Sequence, residues 1–260
     1  MLYYKLIPGN AMRSRKEREN IVLGRWTEQN LDEVLRSAGA IQQTGRRIEF
    51  LSRQFLGTPY EESTLIGGPD TPELLTLNLE GVDCFTFLDY IEALRLSQSF
   101  SEFKKTLKRV RYRSGKVAYA YRRHFFTDWT DKGSWIKDVT AEVGGKNFRT
   151  VHKSINDRGD GSCLLTGISP AERDVTYIPS KAIDGNVIRR LKTGDYIGIY
   201  SGTRGLDVSH VGILVKKKRT TYFRHASSLQ SRRRVVDQDF RAYVAGKPGI
   251  VVLRPVRPVA

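Results

Sequence analysis

Four β-forming runs close the chain: GDYIGIY (194–200), SHVGILV (209–215), TTYFRHA (220–226) and GIVVLRPV (249–256), each alternating or continuous in Val, Ile, Tyr, Phe and Leu. Such a succession of strands argues for an antiparallel sheet. The front of the chain has a different period. Residues 28–38 place Leu31, Val34 and Leu35 on one face after Thr27, a good N-cap, with Gly39 as a stop. Residues 41–55 place Ile41, Ile48, Leu51 and Phe55 near helical spacing and end at Gly57 and Pro59. A loop rich in Gly, Pro and Thr over 56–81 then delivers the chain to a third helix capped by Asp83 and running to about Ser97. From about 130 to 185 the density of Gly, Asp, Ser and Asn predicts long loops with short strands such as 175–178. Helices followed by antiparallel strands predict an α+β fold.

The length of 260 residues suits one large domain or two small ones, and 12 Tyr, 11 Phe and 3 Trp suffice for a core, which excludes wholesale disorder. Two cysteines exclude a disulfide framework, a four-thiolate zinc site and an iron–sulfur cluster. No apolar run approaches the roughly 20 residues of a membrane span, and residues 1–24 hold no signal-type hydrophobic stretch. The expectation is a soluble chain without a transmembrane segment, either cytoplasmic or a mature form whose export segment is not included.

The net charge of +16 lies in two stretches. Residues 104–123 hold nine cations and no acid, and 204–241 hold ten against Asp207, Asp237 and Asp239, so these two segments carry the whole surplus. A basic surplus admits a polyanion-binding reading, but no zinc-finger spacing, helix-turn-helix pattern or aromatic RNA-binding signature accompanies it, so no specific nucleic-acid partner is expected.

Cys84 follows the N-cap Asp83, and Phe87, Leu88, Ile91 and Leu94 supply the apolar stripe of its helix. In the first turn, unsatisfied N–H groups and the positive end of the helix dipole favour the nucleophilic thiolate; the competing reading is an inert buried cysteine. A turn centred on Lys217 and Lys218 between SHVGILV and TTYFRHA would place His210 directly opposite His225 on one sheet face. A base and a group that orients it are what a cysteine nucleophile needs. A metal held by Cys84, His210 and His225 is the weaker reading, since no carboxylate motif surrounds them.

LGTPY (56–60), D-C-x-x-F (83–87), SHVGI (209–213) and RHAS (224–227) occur in the order and rough spacing of the NlpC-type cell-wall cysteine peptidases, which the chain resembles from about residue 25 to its end. Within that clan the long helical N-terminal part, YxxRxHFFTDW (119–129) and GLDVSHVGIL (205–214) look most like the N-acetylmuramoyl-L-alanine amidase-like branch. The resemblance implies a papain-like domain over 1–260 with a nucleophile helix on an antiparallel sheet, residues 1–24 forming a loose extension. It implies Cys84 as nucleophile, His210 as general base and His225 as the orienting residue, acting without a cofactor, as a monomer, on peptidoglycan or muropeptides in the periplasm or cell envelope, or in cytoplasmic recycling.

Tyr60 and Asp83 match residues that line the site and hold the stem peptide, and Ser209 belongs with the substrate-binding residues. Tyr119, Phe126 or Trp129 would pack a sugar face, with core packing as the alternative. Arg122, His124 and Asp128 are candidates for a charged ligand contact or for ordinary surface roles. Phe85 and Thr86 replace the clan's small pair after the cysteine and would narrow the groove, which favours the amidase branch over γ-D-glutamyl endopeptidases. Cys163 reads as structural. Both basic stretches are expected to form a positive rim around the cleft.

Overall fold

The computed structural model describes residues 19–131 and 135–256. In chain order it contains β1 (Glu19–Val22), α1 (Glu28–Gly39), α2 (Thr44–Arg53), β2 (Leu75–Asn78), α3 (Cys84–Arg95), α4 (Phe100–Arg111), β3 (Ile136–Asp138), α5 (Thr140–Gly144), β4 (Arg149–Ile155), β5 (Ala171–Pro179), α6 (Gly185–Arg190), β6 (Tyr196–Tyr200), β7 (Val208–Lys217), β8 (Thr220–Ser227), β9 (Arg234–Asp239), α7 (Phe240–Val244) and β10 (Gly249–Pro255). The capping predicted for α1 is present: the Thr27 hydroxyl accepts the Asn30 N–H at 3.1 Å.

The main sheet runs β4-β5-β10-β6-β7-β8-β9, with β3 also on β10, and its neighbours are antiparallel throughout. Strand alternation sends Tyr196, Val211, Ile213, Val251 and Leu253 into a core shared with α1–α4. It sends Ile197, Ile199, Leu214, Phe223, Ile250 and Val252 into a second core beneath α5–α7. The fold is therefore mixed α and β, with an antiparallel sheet between two helical layers, as the order of helical and strand patterns predicts.

Two local expectations need correction, and two further elements lie where the sequence announced neither helix nor strand. The basic stretch after α3 contains the amphipathic α4, which buries Phe103, Leu107 and Val110 and turns its cations outward or onto acids. The supposed loop over 56–81 contains β2, and β1 pairs with β2 in parallel, so residues 19–22 of the supposed extension are structured; residues 1–18 lie outside the described residues. The Gly/Asp-rich region holds the hairpin β4–β5, whose second strand is nine residues long. The cation-rich RRRVVDQD run contains the edge strand β9, because Val235 alone of its side chains is buried and the pattern is too polar to announce a strand.

Arg224 ties three elements together. Wholly buried on β8, it bonds both Asp237 oxygens of β9 at 2.7 and 2.8 Å, and its third nitrogen donates to Glu49 O and Ser52 Oγ of α2. Removing the cation leaves Asp237 without its main partner and two acceptors without a donor. Arg224→Met is expected to cost about 3–5 kcal/mol in urea unfolding, whereas a surface ion pair would cost under about 1 kcal/mol.

Candidate active site

α3 starts at Cys84 because Asp83 closes a capping box. Asp83 Oδ1 accepts the Phe85 N–H at 2.8 Å and the Thr86 N–H at 2.7 Å, and Thr86 Oγ1 accepts the Asp83 N–H at 3.0 Å. Thr86 is thus buried in the cap, and Phe85 packs partly buried against the core, its ring 5.8 Å from that of Trp129. α3 packs across β7 and β8, which brings its first residue to the sheet.

The β7–β8 hairpin turns at Lys218 and Arg219, with Lys218 in the left-handed region at φ 47°, so Lys217 pairs with Thr220. This register differs by two residues from the one expected, and His210 and His225 are not directly opposed. A two-residue shift preserves the face, and the rings meet diagonally. The ladder itself ends at the Ile213–Arg224 pair; beyond it β7 continues on β6 and β8 on β9.

That opening places the sulfur. Leu214 directs its N–H to Asp195 O and receives the Gly194 N–H, both at 2.9 Å, so even-numbered residues of this stretch face β6 and odd-numbered ones face β8. Val211 faces β8 past the last rung of the ladder. Its N–H instead acts on the Cys84 thiol, favouring the thiolate form. The Cys84 thiol therefore lies at the split, against the residue that follows His210.

The histidines form a relay. His210 Nε2 lies 2.7 Å from His225 Nδ1, and His225 Nε2 lies 2.7 Å from Gln238 Oε1. An amide oxygen only accepts, so His225 carries its proton on Nε2 and offers a bare Nδ1. His210 must then donate from Nε2, which leaves its Nδ1 lone pair as the free base. Three of the four ring nitrogens are engaged, a poor donor set for the metal reading. Phe223 stacks on His225 at 4.8 Å, and the Tyr243 ring of α7 sits 4.9 Å from His225 and 6.2 Å from His210.

Burial sets the protonation states. It drives His210 down to about 3, with His225 and Lys247 adding to the effect, and His225 down to about 4 against the pull of Gln238. It pushes the Cys84 thiol up to about 12, helped by Asp83 and opposed by the N–H groups of Val211, Cys84 and Phe85. Burial thus opposes the thiolate favoured by the helix start and favours the neutral forms of both thiol and imidazole.

Tyr60 belongs to this site. A bridge between Tyr60 and Val82 draws it to the start of α3, and burial together with Cys84 and Asp83 pushes its hydroxyl up to about 12. Asp83 stands beside the sulfur, although its Oδ1 serves the cap. Ser209 is exposed at the β-bulge just before His210. The 119–129 candidates are different. Arg122 is closed on buried Glu73 through bonds of 2.6 to 3.0 Å, and Tyr119 packs on His124. Trp129 and Phe126 are core residues, so neither offers a face to a sugar. Asp128 pairs with Arg113 and Arg173. Cys163 is a free thiol in the loop after β4.

The positive rim is corrected for its first half. Arg111, Arg113, Arg122 and Arg123 pair with Asp89, Asp128, Glu73 and Asp131, and Lys104 and Lys108 with Glu19. In the second stretch Arg232 and Arg234 do border the relay, lining a cavity of about 490 Å³ with Gln238 and Tyr243.

The AmiA-like family, described as N-acetylmuramoyl-L-alanine amidase-like, matches residues 50–250. The chain belongs to that family. Its structure superposes on an N-acetylmuramoyl-L-alanine amidase from Bacteroides uniformis with a TM-score of 0.70 and 28% identity, covering 83% of this chain and 100% of that one. A Legionella pneumophila protein of the DUF1460 family shares the fold with a TM-score of 0.74 at 21% identity, covering 90% of this chain and 97% of that one. No curated protein matches the chain. Val211 N–H, Gln238 and Tyr243 are the site groups that sequence reasoning missed; the VVDQDF alternation was the available signal for Gln238.

Because burial raises the Cys84 thiol, alkylation of Cys84 by iodoacetamide, followed by peptide mass mapping, is expected to rise about tenfold per pH unit from 7 to 9. A rate already flat from pH 5 upward would show a preformed thiolate.

Proposed function

We propose that the protein is a cysteine-dependent N-acetylmuramoyl-L-alanine amidase of papain-like, NlpC-type architecture, cutting the amide between the lactyl group of N-acetylmuramic acid and L-Ala in peptidoglycan fragments. The observation that carries this reading is the Cys84 sulfur seated at Val211 N–H, beside a relay whose hydrogen bonds leave His210 Nδ1 as a free base. Membership of the amidase-like family supports the choice of bond.

On this reading the neutral Cys84 thiol gives its proton to His210 as sulfur attacks the lactyl carbonyl. The Cys84 backbone N–H at the start of α3 faces the developing oxyanion. Imidazolium at His210, stabilised through His225 and Gln238, then protonates the L-Ala nitrogen, and the C–N bond breaks to release the peptide. Water, deprotonated by His210, hydrolyses the muramoyl thioester and restores the thiol. Such a substrate places the protein in the periplasm or cell envelope, or in cytoplasmic recycling of wall fragments.

Incubation with a defined muropeptide and mass analysis of the products tests the reaction. Release of the intact stem peptide is the expected result, and Cys84→Ala abolishes it; release of an L-Ala–D-Glu dipeptide would instead identify a γ-D-glutamyl endopeptidase. The relay gives a second test: Gln238→Leu is expected to lower kcat about ten- to hundredfold with little change in KM, and Gln238→Glu, which keeps the acceptor, to retain most activity.

A further inference from the structure

Four cations from three separate stretches of chain converge where β4 begins and β5 ends. Lys146, Arg149, Lys181 and Lys247 line a pocket of about 690 Å³ together with Phe148 and Ser180. All four cations are exposed, and among the described residues no carboxylate lies within ion-pair distance of any of them. This sets them apart from the cations of 104–123, most of which are held by acids of the fold. The Ser180 hydroxyl is buried and has no hydrogen-bond partner among the described residues, and Phe148 leaves 42% of its surface in solvent. A cluster of exposed cations without carboxylate partners beside an exposed ring is suited to an anionic group carried on an organic chain.

The pocket is joined to the candidate base. Lys247 Nζ stands 5.8 Å from the Tyr243 ring, and that ring stands 6.2 Å from His210. The sheet register supplies the distance. Ile178 is opposite Ile250, Ile250 opposite Ile199, and Ile199 opposite His210. Three strand spacings separate His210 from the end of β5, roughly 14 Å in all. An extended peptide covers that distance with about four residues.

We propose that this pocket binds the carboxylates of the peptide that leaves the reacting amide, and so selects substrates whose peptide is acidic. The identity of the ligand rests on the amidase reading; the anion chemistry of the pocket does not. The peptide length that spans the gap is that of a short stem peptide rather than of a long polymer.

Binding separates this proposal from the reaction itself. Calorimetry on full-length Cys84→Ala protein would compare a four-residue stem peptide with free carboxylates and the same peptide with its carboxylates amidated. The acidic peptide is expected to bind at least tenfold tighter, and Arg149→Glu with Lys181→Glu to erase that preference. Both side chains are exposed, and an unchanged thermal midpoint verifies the fold of the double variant. Equal affinity for the two peptides, a preference that survives the double variant, or displacement by an equal concentration of inorganic phosphate would each overturn the proposal. Product masses from the unaltered protein report on the amidase reading independently: the pocket can bind acidic peptide while no amide is cut, and the amide can be cut while the preference is absent.

Discussion

Everything at the candidate site depends on one unmade pair of strands. The β7–β8 ladder stops at Ile213 and Arg224, and each strand leaves with a different neighbour. A buried amide without a partner is costly, so the Val211 N–H exposed by the split requires an acceptor. Cys84 supplies it. The same split lets two histidines on diagonal positions approach within hydrogen-bond distance instead of being held apart by a regular ladder. A continuous hairpin would have satisfied Val211 from β8 and closed the sulfur's seat.

The split is held open from behind. Arg224, at the last rung, locks β8 to β9 through Asp237 and to α2 through Glu49 and Ser52. Asp237 and Gln238 are consecutive on β9, so one strand supplies both the anchor of the last rung and the acceptor that ends the histidine relay. On the opposite side Asp207 accepts the Thr127 and Val208 N–H groups and fixes the start of β7. Burial raises that carboxyl, and the bonds it accepts oppose the shift. The relay is positioned by secondary structure on both flanks, not by its own contacts alone.

These elements differ in how far the sequence discloses them. The N-caps Thr27 and Asp83, the apolar stripe of α3 and four sheet strands are local patterns and were legible as such. The diagonal meeting of His210 and His225 was half legible: the shared face follows from the two-residue period, whereas the register depends on a turn whose first residue is a lysine with positive φ, a conformation lysine rarely adopts. Gln238 was hidden because β9 carries charge on most of its exposed positions. Trp129 and Arg122 misled in the opposite sense, since an aromatic or an arginine in a motif-bearing stretch looks the same whether it meets a ligand, a core or a buried glutamate. The four cations of the distal pocket come from positions 146 to 247 and leave no trace as a charge run.

A basic surround and a base held neutral look contradictory, yet the two requirements are compatible. A positive potential lowers the proton affinity of His210 and Cys84 together, and Lys247 contributes to the first of these shifts. Passing a proton from the thiol to the imidazole transfers no net charge between the pair and its surroundings. To first order a uniform potential therefore leaves that internal equilibrium unchanged. The same potential acts at full strength on an incoming carboxylate. On the proposed reading, the more remote Lys146, Arg149 and Lys181 attract an acidic ligand without retuning the proton transfer, whereas Lys247 acts on His210. The energy of the thiolate–imidazolium pair is set locally instead, by burial, the Val211 N–H and the His225–Gln238 relay.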